Sequence, residues 1–295
     1  MSPAALVSGR VVAAYGRRFL VDTGSEIRSC IVRGRTSEVV CGDRVALRPA
    51  EADGGVIEAV DPRSSLFLRS APHRAKPIAA NATQVAVVVA TDPSFSDELI
   101  ARVLAAAEHQ RLKSCIVLNK VDLPAGTAHE RLEPFARAGC RVVETSALGD
   151  IAALRGALRG ETTLLIGQSG MGKSTLVNAL VPAAQAKTRE ISKFLASGRH
   201  TTTSVTLYRL DAESAIVDAP GMQEFGLAHL TPVDVERGFV EFAPFLGQCR
   251  FPDCRHGSEP GCALAAAAQD ARIHPRRLEL FRRIVAAERA PGSAR

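Results

Sequence analysis

The sequence predicts an α/β protein: a mostly parallel sheet with helices, preceded by a small β-barrel and followed by a helical segment. Three observations carry this. Between Leu6 and Val60, apolar and polar residues alternate in short runs parted by Gly, Asp and Ser turns. From Gln84 onward, apolar runs of strand length alternate with stretches of helical period, the pattern of parallel strands covered on both faces. After Thr231 the pattern turns helical around a cysteine-rich loop. A chain of 295 residues with 46% hydrophobic content can bury a sizeable core. At about 100–200 residues per domain it divides into two or three units, placed at 1–70, 71–230 and 231–295.

Taken in order, residues 10–15, 18–22, 27–32, 44–47 and 55–60 read as five short strands with no helix-length pattern among them. Five such strands suit a closed barrel of the OB type. Residues 70–77, SAPHRAKP, are rich in Pro and basic side chains and read as a linker. A strand at 84–90, a helix at 97–110, a strand at 114–118, a helix at 129–138 and a strand at 141–144 follow. Residues 163–166 form the next strand and 175–180 the next helix, and a strand over 215–218 runs into Asp218-Ala-Pro-Gly221.

Composition narrows the class. No apolar run reaches the roughly 18 residues of a membrane helix, and MSPAALVSGR lacks the charged-then-apolar order of a signal peptide, so a cytoplasmic, membrane-free protein is expected. Cys30, Cys41, Cys115 and Cys140 stand alone in apolar surroundings and read as core thiols. Residues 1–77 carry 12 basic and 8 acidic side chains, 78–230 carry 15 of each, and 231–295 carry 10 and 8, so the net +6 lies on the flanks. Basic ends around a neutral centre fit a polyanionic partner, because Lys and Arg release counterions when they neutralise phosphates. Ordinary solvated surface accounts for the charge equally well.

The chemistry sits in four stretches. Gly167-Gln168-Ser169-Gly170-Met171-Gly172-Lys173-Ser174, with Thr175 opening the helix, follows an apolar strand. That arrangement aims backbone N–H groups and a helix dipole at phosphate oxygens. Lys173 is placed to reach the outer phosphates and Ser174 to offer its hydroxyl to Mg²⁺. Asn119-Lys120-Val121-Asp122 lies at a strand end. Asp122 can accept from guanine N1–H and the N2 amine, Asn119 can donate on the O6/N7 side, and the Lys120 stem can lie along the ring. Adenine has no N2 amine, so it leaves the carboxylate unpaired. After the next strand, Thr145-Ser146-Ala147 offers backbone N–H groups to O6. In Asp218-x-x-Gly221 the carboxylate holds Mg²⁺ through water, and the Gly221 N–H senses the γ-phosphate. One of Thr201, Thr202 and Thr203, with Thr202 favoured, is expected to ligate Mg²⁺ from a loop ordered by triphosphate and metal.

The order of these parts is unusual, because the base reader at 119 precedes the phosphate loop at 167. The domain is therefore circularly permuted, which compact domains tolerate since their ends lie close together. The segment after Gly221 becomes the domain's exit and runs straight into the C-terminal region. That region holds Cys249, Cys254, His256 and Cys262 among turn-forming Pro and Gly, the donor set of a closed tetrahedral Zn²⁺ site. Redox cysteines and uncoordinated core thiols are the alternatives. After Ala271 the tail carries seven Arg against two Glu, for RNA phosphates or for water.

With these motifs in place, the chain resembles the circularly permuted, small-ribosomal-subunit-dependent GTPases of bacteria. The resemblance rests on residues 119–122, 167–174, 198–203, 218–221 with Glu224-Phe-Gly226, and the Cys/His cluster. It implies GTP hydrolysis to GDP stimulated by the small (30S) subunit, with action late in that subunit's maturation and contact with its 16S rRNA; a monomer is expected. Two departures are Ala219, where a hydroxyl residue is expected, and Gln223, where Arg is expected. Conventional GTPases place a water-positioning Gln directly after the Asp-x-x-Gly glycine, but here that position is Met222. His200, in the Thr-rich loop, is the nearest candidate to position the water, so His200, Lys173 and Thr202 form the expected catalytic set. An ATP-using enzyme and an RNA-binding protein that holds nucleotide as a plug are the competing readings. The base-stacking candidates on the barrel are Tyr15, Phe19 and Phe67, which serve equally well as core residues.

Overall fold

The computed structural model describes residues 5–32, 38–51, 53–71, 74–182 and 205–289. Strands β1 (Val7–Tyr15), β2 (Arg18–Asp22), β3 (Ile27–Val32), β4 (Arg44–Pro49) and β5 (Gly54–Val60) build the barrel. β1 pairs antiparallel with both β2 and β4, β3 pairs parallel with β5, and β5 pairs antiparallel with β4, so the ladder closes on itself. The inward members of the alternation, Val11, Phe19, Val21, Cys30, Val45, Leu47 and Ile57, fill the interior.

The linker expected at 70–77 is instead part of a hairpin of β6 (Leu66–Ala71) and β7 (Arg74–Ala80). Its apolar residues outweigh the linker-like composition, since Phe67, Ile78, Ala79 and Ala80 are all buried. Pro77 lies opposite Leu68, beside a register shift, where a strand tolerates a residue with no N–H.

The main sheet runs β10 (Arg141–Glu144), β9 (Lys113–Asn119), β8 (Gln84–Ala90), β11 (Thr162–Ile166), β13 (Ala215–Asp218) and β12 (Thr206–Arg209), parallel except for β12. Every residue of β8 is buried, as a central strand covered on both faces must be. Helices α1 (Asp97–His109), α2 (Ala128–Arg137), α3 (Ala152–Leu158) and α4 (Lys173–Leu180) connect the strands. β1 pairs with β12 at Ala13 and Thr206, which joins barrel and sheet. The four solitary cysteines lie in or against the core, with Cys30, Cys41 and Cys115 buried and Cys140 half-buried. Phe19 and Phe67 are core residues and Tyr15 is half-buried against the core, so these aromatics serve packing.

The C-terminal region comprises α5 (Pro232–Arg237), a 3-10 turn (Val240–Phe245), α6 (Ala263–Gln269) and α7 (Pro275–Arg289). Phe239, Phe242 and Phe281 pack with centroids 5.1–5.5 Å apart. Arg277 is buried, pairs with Glu241 at 2.6 Å, and lies over Phe135 of α2 and Phe239. Arg276 pairs with Glu130 of α2, Arg272 lies over Phe245, and Arg282 donates to the His256 carbonyl. Much of the arginine-rich tail therefore fastens this region to itself and to α2 instead of facing a polyanion. Among the described residues, no helix is long and apolar enough to cross a membrane.

Candidate nucleotide site and metal centre

The C-terminal ends of β9, β10, β11 and β13 lie along one edge of the parallel sheet, where ligands of open α/β sheets bind. The sequence fragments at 119–122, 145–147, 167–174 and 218–221 each follow one of these strands, so the shuffled order of the chain disappears in space. Asn119 links three of them. Its Nδ2 donates to the Met171 carbonyl at 2.9 Å, and its Oδ1 accepts from the Ala147 N–H at 3.1 Å.

Both ends of the Asn119 amide are thus engaged with the protein, although Nδ2 keeps a second hydrogen for a ligand. The N–H groups of Thr145, Ser146 and Ala147, expected to face guanine O6, donate to Leu118 O, Asp150 O and Asn119 Oδ1. They hold the turn that presents the Ser146 hydroxyl, which donates to Asp122 Oδ1. Asp122 itself is exposed, with an oxygen left for a ligand. Lys120 has a left-handed backbone (φ 62°), and its Nζ donates to the Asp92 carbonyl at 2.8 Å, which stretches the stem along the edge of the site.

The phosphate loop is shaped by glycines at two close approaches. A Cβ on Gly167 would sit 2.2 Å from the Val88 carbonyl, and one on Gly172, at φ +84°, would sit 2.3 Å from Asn119 Nδ2. Gly172 is also the N-cap of α4 and has no side chain to satisfy that helix's first N–H groups, leaving them for an anion. Gly172→Ala adds left-handed strain of about 1–2 kcal/mol to that clash. We expect a lower Tm together with a loss of nucleotide affinity of at least about tenfold, checked by thermal melting and nucleotide titration. Wild-type affinity in the variant would contradict this account. Gln168 accepts from the Ser96 N–H at 2.8 Å, while Ser169, Gly170, Ser174 and Thr175 are exposed.

Lys173 is buried, and its Nζ donates to the carbonyls of Gly167 and Gln168 at 2.8 and 3.3 Å. Burial lowers its pKa, against the opposing pull of Asp218. Burial likewise pushes the Asp218 carboxyl up to about 6, although Lys173 draws it down. Each charge costs more to bury than its neighbour returns, so the site is poised for a cation at Asp218 and an anion at Lys173. Gly221 lies beside Lys173, since a Cβ there would be 3.4 Å from Lys173 Nζ. Met222 donates its N–H to the Gly167 carbonyl and buries its side chain, so it offers nothing to a water molecule; Gln223 is exposed. His200, Thr201, Thr202 and Thr203 lie outside the described residues.

The raised Asp218 pKa has a pH signature. Because the folded value lies above the unfolded one (3.8), the folded state binds more protons between about pH 4 and 6. Stability of the nucleotide-free protein therefore falls as pH rises through that window, and the loss is complete above it. Asp218→Asn is expected to melt at a higher temperature than wild type at pH 7.5 and at a similar temperature near pH 4, while losing hydrolysis. An unchanged melting temperature at pH 7.5 would contradict the assignment.

The second cluster is metal-like in shape. The ligand atoms of Cys249, Cys254, His256 and Cys262 all lie within 4.8 Å of one another. His256 Nδ1 is 3.5, 3.7 and 3.4 Å from the three sulfurs. Tetrahedral zinc with bonds of about 2.3 Å to sulfur and about 2.0 Å to nitrogen sets N···S edges of about 3.5 Å, so the four residues fit the ion. Burial, and then the neighbouring thiols, push the Cys254 thiol up to about 11, and a cation is what allows such thiols to ionise together. Glu236 of α5 was not flagged by the sequence. Its Oε2 lies 3.2 Å from His256 Nε2, which orients the ring toward the sulfurs. Twenty residues separate the two, and no spacing rule connects them.

Comparison with known proteins agrees with this geometry. The family model for the RsgA GTPase matches residues 60–228. The "Small ribosomal subunit biogenesis GTPase RsgA" of Nitrosomonas europaea is 51% identical over 286 residues, covering 95% of this chain and 91% of that protein. The protein of the same name from Burkholderia pseudomallei (strain K96243) is 50% identical, covering 94% and 91%. Among solved structures, YjeQ from Thermotoga maritima superposes with a TM-score of 0.75 at 29% identity, covering 97% of this chain and 99% of that one. YloQ, a circularly permuted GTPase, shares the fold with a TM-score of 0.70 at 23% identity, covering 97% and 96%. This chain belongs to the RsgA GTPase family.

Proposed function

We propose that the chain binds GTP at the sheet edge and hydrolyses it to GDP and phosphate on the small (30S) ribosomal subunit, acting late in that subunit's maturation. The observation that carries the reading is the Asn119 amide, which ties the base-reading turn to the phosphate loop across the permuted order. Asp122, held by Ser146, reads the guanine edge, with Lys120 and Ala147 lining the base. Residues 167–175 cradle the phosphates, with Lys173 reaching the outer ones. Ser174, Asp218 and Thr202 hold Mg²⁺, which neutralises charge developing on the phosphates. The Gly221 N–H faces the γ-phosphate, and Cys249, Cys254, His256 and Cys262 hold one structural Zn²⁺. The protein works as a cytoplasmic monomer in contact with 16S rRNA.

The decisive measurement is phosphate release with and without purified small subunits. Stimulation of at least about tenfold is expected; equal rates would favour a binding protein that keeps nucleotide as a plug, and preference for ATP would overturn Asp122 as the base reader. With Met222 turned inward, His200 is the water-positioning residue. His200→Ala is therefore expected to lose about 10²–10³ of subunit-stimulated turnover while GTP affinity stays constant. Unchanged turnover would remove His200 from that role.

A further inference from the structure

The barrel carries a row of like charges on the side that meets the main sheet. Val11 points into the barrel interior, so its neighbour Arg10 points outward. There its Nη2 donates to Thr162 Oγ1 of β11 at 3.2 Å. Arg10 stands opposite Arg44 of β4 and opposite Asp22 of β2 in the strand registers, and residues so paired share a face. Arg209 of β12 reaches the same place and lies 3.2 Å from Asp22. Three guanidinium groups from barrel and sheet therefore gather at one seam, where the Asp22 carboxylate is in ion-pair contact with Arg209.

Like charges directly opposite one another destabilise a sheet. Arg28, Arg48 and Arg63 of the same barrel are each paired with a carboxylate. Among the described residues Arg10 and Arg44 have no carboxylate in ion-pair contact, and the buried Arg10 Nε has no hydrogen-bond partner. Burial lowers the Arg10 pKa, and Arg44 and Arg209 add to the effect. Cys41 is no counterion, because burial pushes its thiol up to about 12. The surplus at this seam is positive, and a group with several anionic oxygens satisfies it.

We propose that the seam between barrel and sheet, bounded by Arg10, Arg44 and Arg209, binds a backbone phosphate of ribosomal RNA. The proposal rests on the ribosomal reading above and adds to it the mode and place of contact. RNA is favoured over a protein partner by the charge of this flank, since residues 1–77 carry 12 basic side chains against 8 acidic ones and a polyanion releases counterions on meeting them. Phe19 and Phe67 are in the core and Tyr15 is half-buried, so the barrel reads phosphates without a stacking platform from these residues. Bidentate guanidinium geometry suits a phosphodiester, and the seam lies away from the nucleotide edge, since Thr162 begins β11 and the phosphate loop follows its end.

The test uses the full chain with a non-hydrolysable GTP analogue and purified small subunits, measuring Kd from about 50 to 200 mM salt. Arg44 and Arg209 are both exposed, so Arg44→Gln/Arg209→Gln leaves the half-buried Arg10 in place. The double variant is expected to bind at least about tenfold more weakly at the low-salt end. Its log Kd against log salt slope should be shallower by about 1, the counterion release of one phosphate contact. GTP affinity and Tm should match wild type. Wild-type binding with an unaltered variant would overturn the seam alone. Weaker binding with an unchanged slope would point to a protein partner and overturn RNA as the occupant. Absence of wild-type binding would overturn the ribosomal reading itself and this proposal with it.

Discussion

Asp122→Asn is expected to weaken GTP binding by about 10²–10⁴-fold and to turn preference toward xanthosine triphosphate. The carboxylate accepts from two guanine donors, each such charge-assisted bond contributing about 1.5–3 kcal/mol. Ser146 fixes the outcome, because its hydroxyl donates to Asp122 Oδ1 and so would hold the amide oxygen of the replacement in the same place. The Asn Nδ2 then faces the base, where guanine presents a second donor and xanthine presents an oxygen. A donor against a donor loses both the bond and the desolvation of each group. Titration with labelled GDP and xanthosine diphosphate reads the exchange directly. Equal affinity of wild type and variant for guanine nucleotides would show that Asp122 does not read the base. Ser146→Ala should fall between the two, weakening GTP without gaining xanthine, because the carboxylate then loses its anchor and keeps its charge.

The elements legible in the sequence were those whose local pattern and whose chemistry agree. β8 is apolar throughout and central, and β9 ends on Asn119, so period and motif mark the same boundary. The barrel strands likewise follow from alternation alone, because one face of each fills the interior. The β6–β7 hairpin was not legible, because its Pro and basic residues imitate a linker while its burial comes from partners distant in sequence. Phe67 packs 5.7 Å from Phe225, and Ser70 accepts and donates on the segment around Gly226 and His229. The engagement of Asn119 and the support of His256 by Glu236 were hidden for the same reason. Motifs name the groups that touch a ligand, whereas the groups that hold them are chosen by the fold.

Those distant partners give the permutation its mechanical sense. The exit segment begins at Gly221 beside Lys173, and within nine residues it meets two other parts of the molecule. Phe225 meets the hairpin that follows the barrel, Gly226 accepts from the Ser70 N–H, and Leu227 donates to Glu288 of α7 at 3.1 Å. Arg102 of α1 also donates to Glu288, so the nucleotide helix layer, the C-terminal helix and the exit segment share one carboxylate. If Gly221 faces the γ-phosphate as proposed, a shift of Gly221 on phosphate loss would be felt at both flanks, which are the basic parts of the chain.

The largest effect is expected from the metal centre. Cys262→Ala, or treatment with a strong zinc chelator, should release one zinc per chain and unfold the segment that carries α5 to α7. Structural zinc contributes an apparent 10–16 kcal/mol in small domains, more than the apolar cluster of Phe239, Phe242 and Phe281 can replace. Removing one ligand also leaves two thiols and a half-engaged imidazole together in a place built for a cation. The first melting transition should fall by about 10 °C or more, and zinc should restore it after chelation but not after substitution. GTP affinity should change by less than about threefold, since none of the four ligands lies at the sheet edge. Subunit-stimulated turnover should fall sharply, because α7 is tied to the exit segment through Glu288. Glu236→Gln offers the graded case: the ring keeps a partner of lower charge, and zinc affinity should drop by about 10–100-fold with the fold retained. A chelated protein that melts like the untreated one would show that the cluster is four core side chains and not a metal centre.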